Sequence, residues 1–150
     1  MAIRTLNQSD INQDPYCVWN SFVDLLTTES FEDLNEIQRS AYLCFWYDSE
    51  VLNGGHLQYF ENRGTIQLND TVHALTIIGA NDQAKLLEDA YYIYSGKSRK
   101  AINTIEDYVD VAQEGEFNEI DMCFYDCNPQ MQDILEEYLN RHRDQFVEIL

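Results

Sequence analysis

Leu34-Asn35-Glu36-Ile37-Gln38-Arg39-Ser40-Ala41-Tyr42-Leu43-Cys44-Phe45 is the stretch that decides the fold class of this 150-residue chain. Leu34, Ile37, Ala41, Cys44 and Phe45 recur at steps of three and four, the interval at which side chains share one face of an α-helix. A half-buried strand would instead alternate apolar and polar residues one by one, and no such run occurs here or elsewhere, so a sheet is not expected. Asn53-Gly54-Gly55 ends this helix, because glycine enters the left-handed cap conformation without a Cβ clash. A short helix is expected to follow through Gln58 to Phe60.

Working outward, the same period returns along the chain. Trp19, Phe22, Val23 and Leu26 follow Asp14-Pro15, a capping and first-turn pair. Val72 to Ile78 is apolar on most sides and is expected to be central. Leu87, Ala90, Tyr91 and Tyr94 mark a further helix, and Ile102, Ile105, Val109 and Ala112 another. Phe117, Ile120, Cys123, Phe124 and Cys127 mark a short one. Asn128-Pro129 opens the last, with Leu135, Tyr138, His142 and Ile149 on its inner face. The expectation is an all-α fold: one compact domain over residues 1–150 with about seven or eight helices, residues 1–14 forming an N-terminal arm. A chain of this length buries roughly 70% of the surface its unfolded form exposes.

Composition narrows function. The chain carries 27 acidic and 9 basic residues, a formal net charge of -18, where small domains usually carry about 2–8 charges of either sign. Ten Tyr, seven Phe and two Trp argue against a disordered acidic chain. Direct nucleic-acid binding and binding to anionic membranes are disfavoured by charge. The N-terminus has no apolar segment of the signal-peptide kind, and the longest apolar run, Ala41 to Tyr47, is far short of the ~20 residues of a membrane span. Cys17, Cys44, Cys123 and Cys127 follow no disulfide framework and read as reduced, mostly buried thiols of a cytoplasmic protein.

The charge is uneven. Residues 1–50 hold nine acids and two bases, residues 51–100 five of each, and residues 101–150 thirteen acids and two bases. Glu106, Asp110 and Glu114 recur every four residues on a face expected to lie away from Ile102, Ile105 and Val109, with Asp107 widening the stripe. Asp133, Glu136 and Glu137 are expected outward on the last helix, with Asp144 and Glu148 extending the row past Arg141 and Arg143. No Lys or Arg occurs between residues 101 and 140 to relieve these acids. A helix over residues 101–121 would be roughly 30 Å long, and that length of duplex carries about eighteen charges, whereas the segment holds seven acids. Any imitation of DNA therefore needs several acidic elements side by side, or a homodimer that joins them.

Other chemistry is weaker. Asp110, Glu114, Gly115 and Asp121 loosely follow a calcium loop, but Ala112 stands where an oxygen ligand belongs, so the stretch reads as an ordinary corner. Cys123 and Cys127 lack a second ligand pair for zinc. No metal or other cofactor is called for, and no nucleophile elbow, phosphate loop or dinucleotide fingerprint occurs. His142 falls on an apolar stripe and reads as a packed residue. Asp48, Glu50, Asn53 and His56 could form an acid–base or ligand site at the Gly-Gly corner; the other reading is a polar knot that ties the corner to backbone.

Glu50-Val51-Leu52-Asn53-Gly54-Gly55-His56-Leu57-Gln58-Tyr59-Phe60-Glu61-Asn62 resembles the signature of a small bacterial family of acidic DNA-mimic proteins. Val18-Trp19-Asn20, Leu34-Asn35 with Gln38-Arg39, Ile78-Gly79-Ala80, Asp121 to Tyr125, and Tyr138-Leu139 with His142 and Phe146 extend the resemblance over residues 15–150. Phe commonly follows the Gly pair in that family; here it is His56. The resemblance implies an all-helical, non-enzymatic protein in which Glu50, Asn53, Gly54, Gly55, Gln58, Tyr59, Phe60 and Asn62 are structural. It also implies an acidic dimer that occupies the DNA-binding face of a helix-turn-helix repressor. The acids themselves are chosen from this sequence: Glu106, Asp107, Asp110, Glu114, Glu116 and Glu119, with Asp133, Glu136 and Glu137, facing the Lys and Arg of a basic DNA-binding partner. An immunity-type inhibitor of a basic nuclease toxin is the alternative.

Overall fold

In the computed structural model, which describes residues 2–150, the elements in chain order are β1 (Arg4–Leu6), α1 (Gln8–Gln13), α2 (Tyr16–Thr28), α3 (Glu36–Arg63), α4 (Leu68–Ile78), α5 (Asn81–Ser95), α6 (Ile105–Gln113), α7 (Asn118–Tyr125), α8 (Met131–Arg141) and β2 (Val147–Ile149). The fold is all-α, a single compact domain, with α3 at its centre. Ala41, Cys44, Tyr47 and Val51 of α3 are fully buried among Phe22, Leu25 and Leu26 of α2, Leu75 of α4, Leu135 of α8 and Phe146. α4 packs on α3 and α5 on α4, while α7 and α8 pack against other faces of α3.

α3 begins at a reciprocal cap. The Asn35 side chain accepts from the Gln38 N–H at 2.9 Å and the Gln38 side chain accepts from the Asn35 N–H at 3.0 Å, satisfying donors that a helix start leaves unpaired. Gln38 is fully buried and does more. Its amide donates to the carbonyls of Ala2 and Gln145, both at 2.7 Å, so one side chain pins both ends of the chain to the head of the central helix.

Those ends contain the first departure from the sequence reading. β1 and β2 pair in parallel, Arg4 opposite Val147 and Leu6 opposite Ile149. Three residues per strand are too few to show alternation, and the pairing joins opposite ends of the chain, so a local pattern carries no trace of it. The expected N-terminal arm is thereby built into the fold, with Arg4 reaching Asp24 at 2.7 Å and Glu29 at 2.9 Å. At the other end α8 stops at Arg141; Ile149 lies on β2, 37% exposed, not on the inner face of a helix, and Asp144 and Glu148 do not continue an α8 row. His142 closes α8 and packs on Tyr138, ring centroids 4.6 Å apart.

Two other expectations are corrected by burial. α4 is one-sided: Thr71, Ala74, Leu75 and Ile78 are buried but Ile77 is 50% exposed. α6 turns its expected inner face outward: Ile105 and Val109 are 84% and 43% exposed, while Tyr108 and Val111 pack toward the core. The cysteines are all free, but only Cys44 is buried; Cys123 is exposed.

Gln38→Glu keeps the cap acceptor but sets a carboxylate oxygen against two backbone carbonyls. A loss of about 2–4 kcal/mol is expected in urea denaturation, the cost of breaking two buried hydrogen bonds and burying a charge without a partner; an unchanged midpoint would show that the termini are held by other contacts.

Candidate functional site

The Gly-Gly corner interrupts α3. Gly54 and Gly55 have φ of -152° and 73°, and the chain resumes as helix directly afterwards, in agreement with the expected stop and short second helix. A break in mid-helix frees carbonyls on its first half and N–H groups on its second. Three of these groups are met from the acidic third of the chain. Tyr125 of α7 donates its hydroxyl to the Val51 carbonyl at 3.1 Å, and Tyr108 of α6 donates to the Gly54 carbonyl at 3.3 Å. The Asp121 carboxylate accepts from the His56 N–H at 2.9 Å, as an N-cap residue would, but from another helix.

His56 completes the knot. Its Nδ1 lies 2.7 Å from the same Asp121 oxygen and its Nε2 lies 2.7 Å from the Tyr47 hydroxyl. With Nδ1–H donating to the carboxylate, Nε2 accepts from the Tyr47 O–H, so a neutral imidazole satisfies both neighbours. Both His56 and Tyr47 are fully buried. Burial also drives the Tyr47 hydroxyl's pKa well above that of a free phenol. The geometry resembles a relay whose Tyr47 and His56 members are fully buried and whose Asp121 side chain keeps 19% of its surface exposed.

The four side chains considered as an acid–base or ligand set do not converge. Glu50 accepts from Gln58 at 3.0 Å and Asn62 at 2.7 Å, Asn53 donates to Gln58 at 3.1 Å, and His56 turns inward to Asp121. Asp48 stands apart, its carboxyl pushed up to about 6 by burial. Of the neighbouring aromatic side chains, Tyr59 and Phe60 are buried, and Tyr59 packs edge-on against Tyr47 at 5.0 Å. The calcium-loop reading also dissolves, because Asp121 is committed to His56, and among the described residues no three His, Cys, Asp or Glu are grouped to hold a metal.

The acidic segment is not one helix. Gly115, with φ of 69°, turns the chain between α6 and α7, so the 30 Å rod over residues 101–121 does not form. Apart from Asp121, which is committed to the corner, its acids separate into three kinds. Asp107 is a cap residue: its N–H donates to Thr104 at 3.0 Å and its carboxylate accepts from the Asn103 N–H at 3.2 Å. Glu114 and Glu116 are neutralised from outside the segment. Lys97 lies 3.0 Å from Glu114 and 2.7 Å from Glu116, and Arg99 also pairs with Glu116. Burial raises the Glu116 carboxyl, but its hydrogen bonds from Lys97 and Arg99 outweigh this and hold it below the ordinary value. The expected lack of basic relief therefore fails at this end: the bases come from the α5–α6 connection. Glu106, Asp110 and Glu119 are exposed and make no ion pair with a described residue. On α8, Asp133 and Glu137 are exposed in the same way, while Glu136 is half-buried and accepts from Gln132 at 3.2 Å.

The sequence reading missed Asp121, Tyr108 and Tyr125 as partners of the corner, and Lys97 and Arg99 as partners of the acids. An Asp inside an apolar helix, in line with Phe117 and Phe124, was the available signal for the first.

The DMP19-like protein family model matches residues 32–142, about three quarters of the chain, and the chain belongs to that family. No curated protein and no solved structure matches it. No helix among the described residues is long and apolar enough to cross a membrane.

Two substitutions test the corner. Gly55→Ala forces a side chain into a left-handed backbone and onto the Asp121 carboxylate; a loss of about 2–4 kcal/mol is expected in chemical denaturation. Asp48→Asn tests burial without a partner. A carboxyl whose folded pKa is raised destabilises the fold when ionised, so its cost is present above about pH 6 and disappears as pH falls toward the unfolded value near 3.8. The variant should be more stable than the parent at pH 7 by about 1–2 kcal/mol, with the gain gone at about pH 4; equal melting temperatures at pH 7 would refute it.

Proposed function

We propose that this member of the DMP19-like protein family is a non-enzymatic binding protein of the cytoplasm, a DNA mimic that occupies the DNA-binding face of a basic DNA-binding protein, in the first instance a helix-turn-helix regulator. The observation that carries the reading is membership of that family by a chain of net charge -18. Its carboxylates at Glu106, Asp110, Glu119, Asp133 and Glu137 stand in solvent without an ion pair to any described residue. Such groups suit the Lys and Arg that otherwise meet phosphates. At the Gly-Gly corner the Tyr47 and His56 side chains are fully buried and Glu50 and Asn53 turn to Gln58 rather than to His56, which favours a structural role there over an active site.

Dimensions shape the proposal. α6 has nine residues, roughly 13 Å of helix, with two unpaired acids facing out. Duplex of that length carries about eight charges. α6 alone is too sparse, so the mimicking face draws on α7 and α8 as well, or on a homodimer that doubles it.

Affinity capture from a bacterial lysate at about 50 mM salt, followed by elution with added duplex DNA, tests this. A DNA-binding protein released by DNA, and lost as salt rises to about 500 mM, is expected because charge-led association is screened. Recovery of a nuclease indifferent to DNA competition would favour the immunity-type reading. Recovery of no basic protein would defeat both.

A further inference from the structure

α6 is attached by one side only. Tyr108 and Val111 pack inward, and no residue of the helix is fully buried. Its outward side carries Ile105, 84% exposed, and Val109, 43% exposed, one turn apart. Glu106 and Asp110, both exposed, follow each of them by one position, about 100° further round the same helix. Lys97 and Arg99 neutralise Glu114 and Glu116 at the far end of the helix and leave this end charged. An exposed aliphatic pair at helical spacing is informative in a way that scattered surface apolar residues are not.

Three occupants of this strip can be compared by charge. A second copy of the same face would bring Glu106 and Asp110 against like carboxylates. A purely apolar partner would strip water from both carboxylates and leave them unpaired. A surface with aliphatic side chains bordered by Lys or Arg satisfies both parts at once, and a strip spaced one helical turn apart matches the ridges of another helix.

We propose that Ile105 and Val109 are the apolar centre of a docking surface for an amphipathic basic helix of the partner protein, whose aliphatic side chains cover the pair while its flanking cations reach Glu106 and Asp110. This deepens the reading of the protein as a binder of basic DNA-binding proteins and rests on it for the class of partner. It adds that recognition is not by charge alone. Part of the affinity then survives salt, because burial of aliphatic surface is not screened as ion pairs are.

The probe is a fluorescent amphipathic Leu/Lys peptide of about five helical turns, compared with a scrambled peptide of the same composition, and binding to the full chain is followed by anisotropy across a salt series. The amphipathic peptide should bind more tightly than the scrambled one. Ile105→Ser, alone and with Val109→Ser, should weaken binding about tenfold at every salt concentration with the salt dependence unchanged. Glu106→Gln with Asp110→Asn should weaken it at low salt and flatten the dependence. Both residues of the apolar pair are outside the core, so thermal melting should match the parent, and Ile105→Ser alone keeps the test open if the double variant melts early.

Equal binding of the two peptides, or no effect of Ile105→Ser, would overturn the proposal. So would sedimentation showing that Ile105→Ser converts a dimer to a monomer, since a second copy would then be the occupant. Failure here with DNA competition intact in the capture experiment removes this docking surface but leaves mimicry standing; peptide binding without DNA competition does the reverse.

Discussion

One Asp121 oxygen holds the His56 backbone N–H and the His56 ring across the break in α3, and the arrangement of the acidic third of the chain follows from it. An interrupted helix exposes backbone groups that its own hydrogen bonds no longer satisfy, and inside a core each such group costs about 1–3 kcal/mol if left alone. Asp121, Tyr125 and Tyr108 meet that demand from α7 and α6. The break therefore docks these helices, and the break needs glycine: the space a Gly55 side chain would fill belongs to the Asp121 carboxylate. The charge-neutral middle of the chain, residues 51–100, thus fixes the position of the strongly acidic segment that follows it.

Four of the nine basic residues are spent on contacts inside the fold. Arg4 bridges to α2, Arg39 donates to the Phe31 and Glu32 carbonyls, Arg63 lies over the Trp46 ring at 4.1 Å, and Arg99 caps the end of α5 and pairs with Glu116. Cations committed to carbonyls, rings and local carboxylates do not offset the acids beyond them. The excess is greatest in the last third of the chain, thirteen acids against two bases, and a field of one sign raises the encounter rate with a partner of the other.

Helices were legible because their signal is local: the periodicity of Leu34 to Phe45 and of Trp19 to Leu26 survives in any tertiary context, and Gly54-Gly55 announces a stop by chemistry alone. What could not be read was long-range. His56 to Asp121 spans 65 positions and Arg4 to Val147 nearly the whole chain. α6 shows a subtler failure. Ile105 and Val109 share a face with helical spacing, and spacing marks a face without saying that it is buried. Here Tyr108 and Val111 won the inner side because the Tyr108 hydroxyl reaches the Gly54 carbonyl, a partner that exists only once α3 has broken. Gly115 was readable as a helix end, and the expected 30 Å rod passed over it.

The division of labour between corner and surface has a consequence for how such a protein can vary. Exposed acids such as Glu106, Asp110 and Asp133 have no internal ion pair to lose, and changes at exposed sites of this kind usually shift stability by no more than about 0.5 kcal/mol. The corner allows no such freedom, since Gly54, Gly55, His56, Tyr47 and Asp121 each fill a space or satisfy a group that another of them creates. The same separation leaves the exposed positions of α6 and α8 free to change without disturbing the corner. It also sets Gly55, His56, Tyr59 and Phe60, buried at the corner, apart from the exposed acids of α6 and α8.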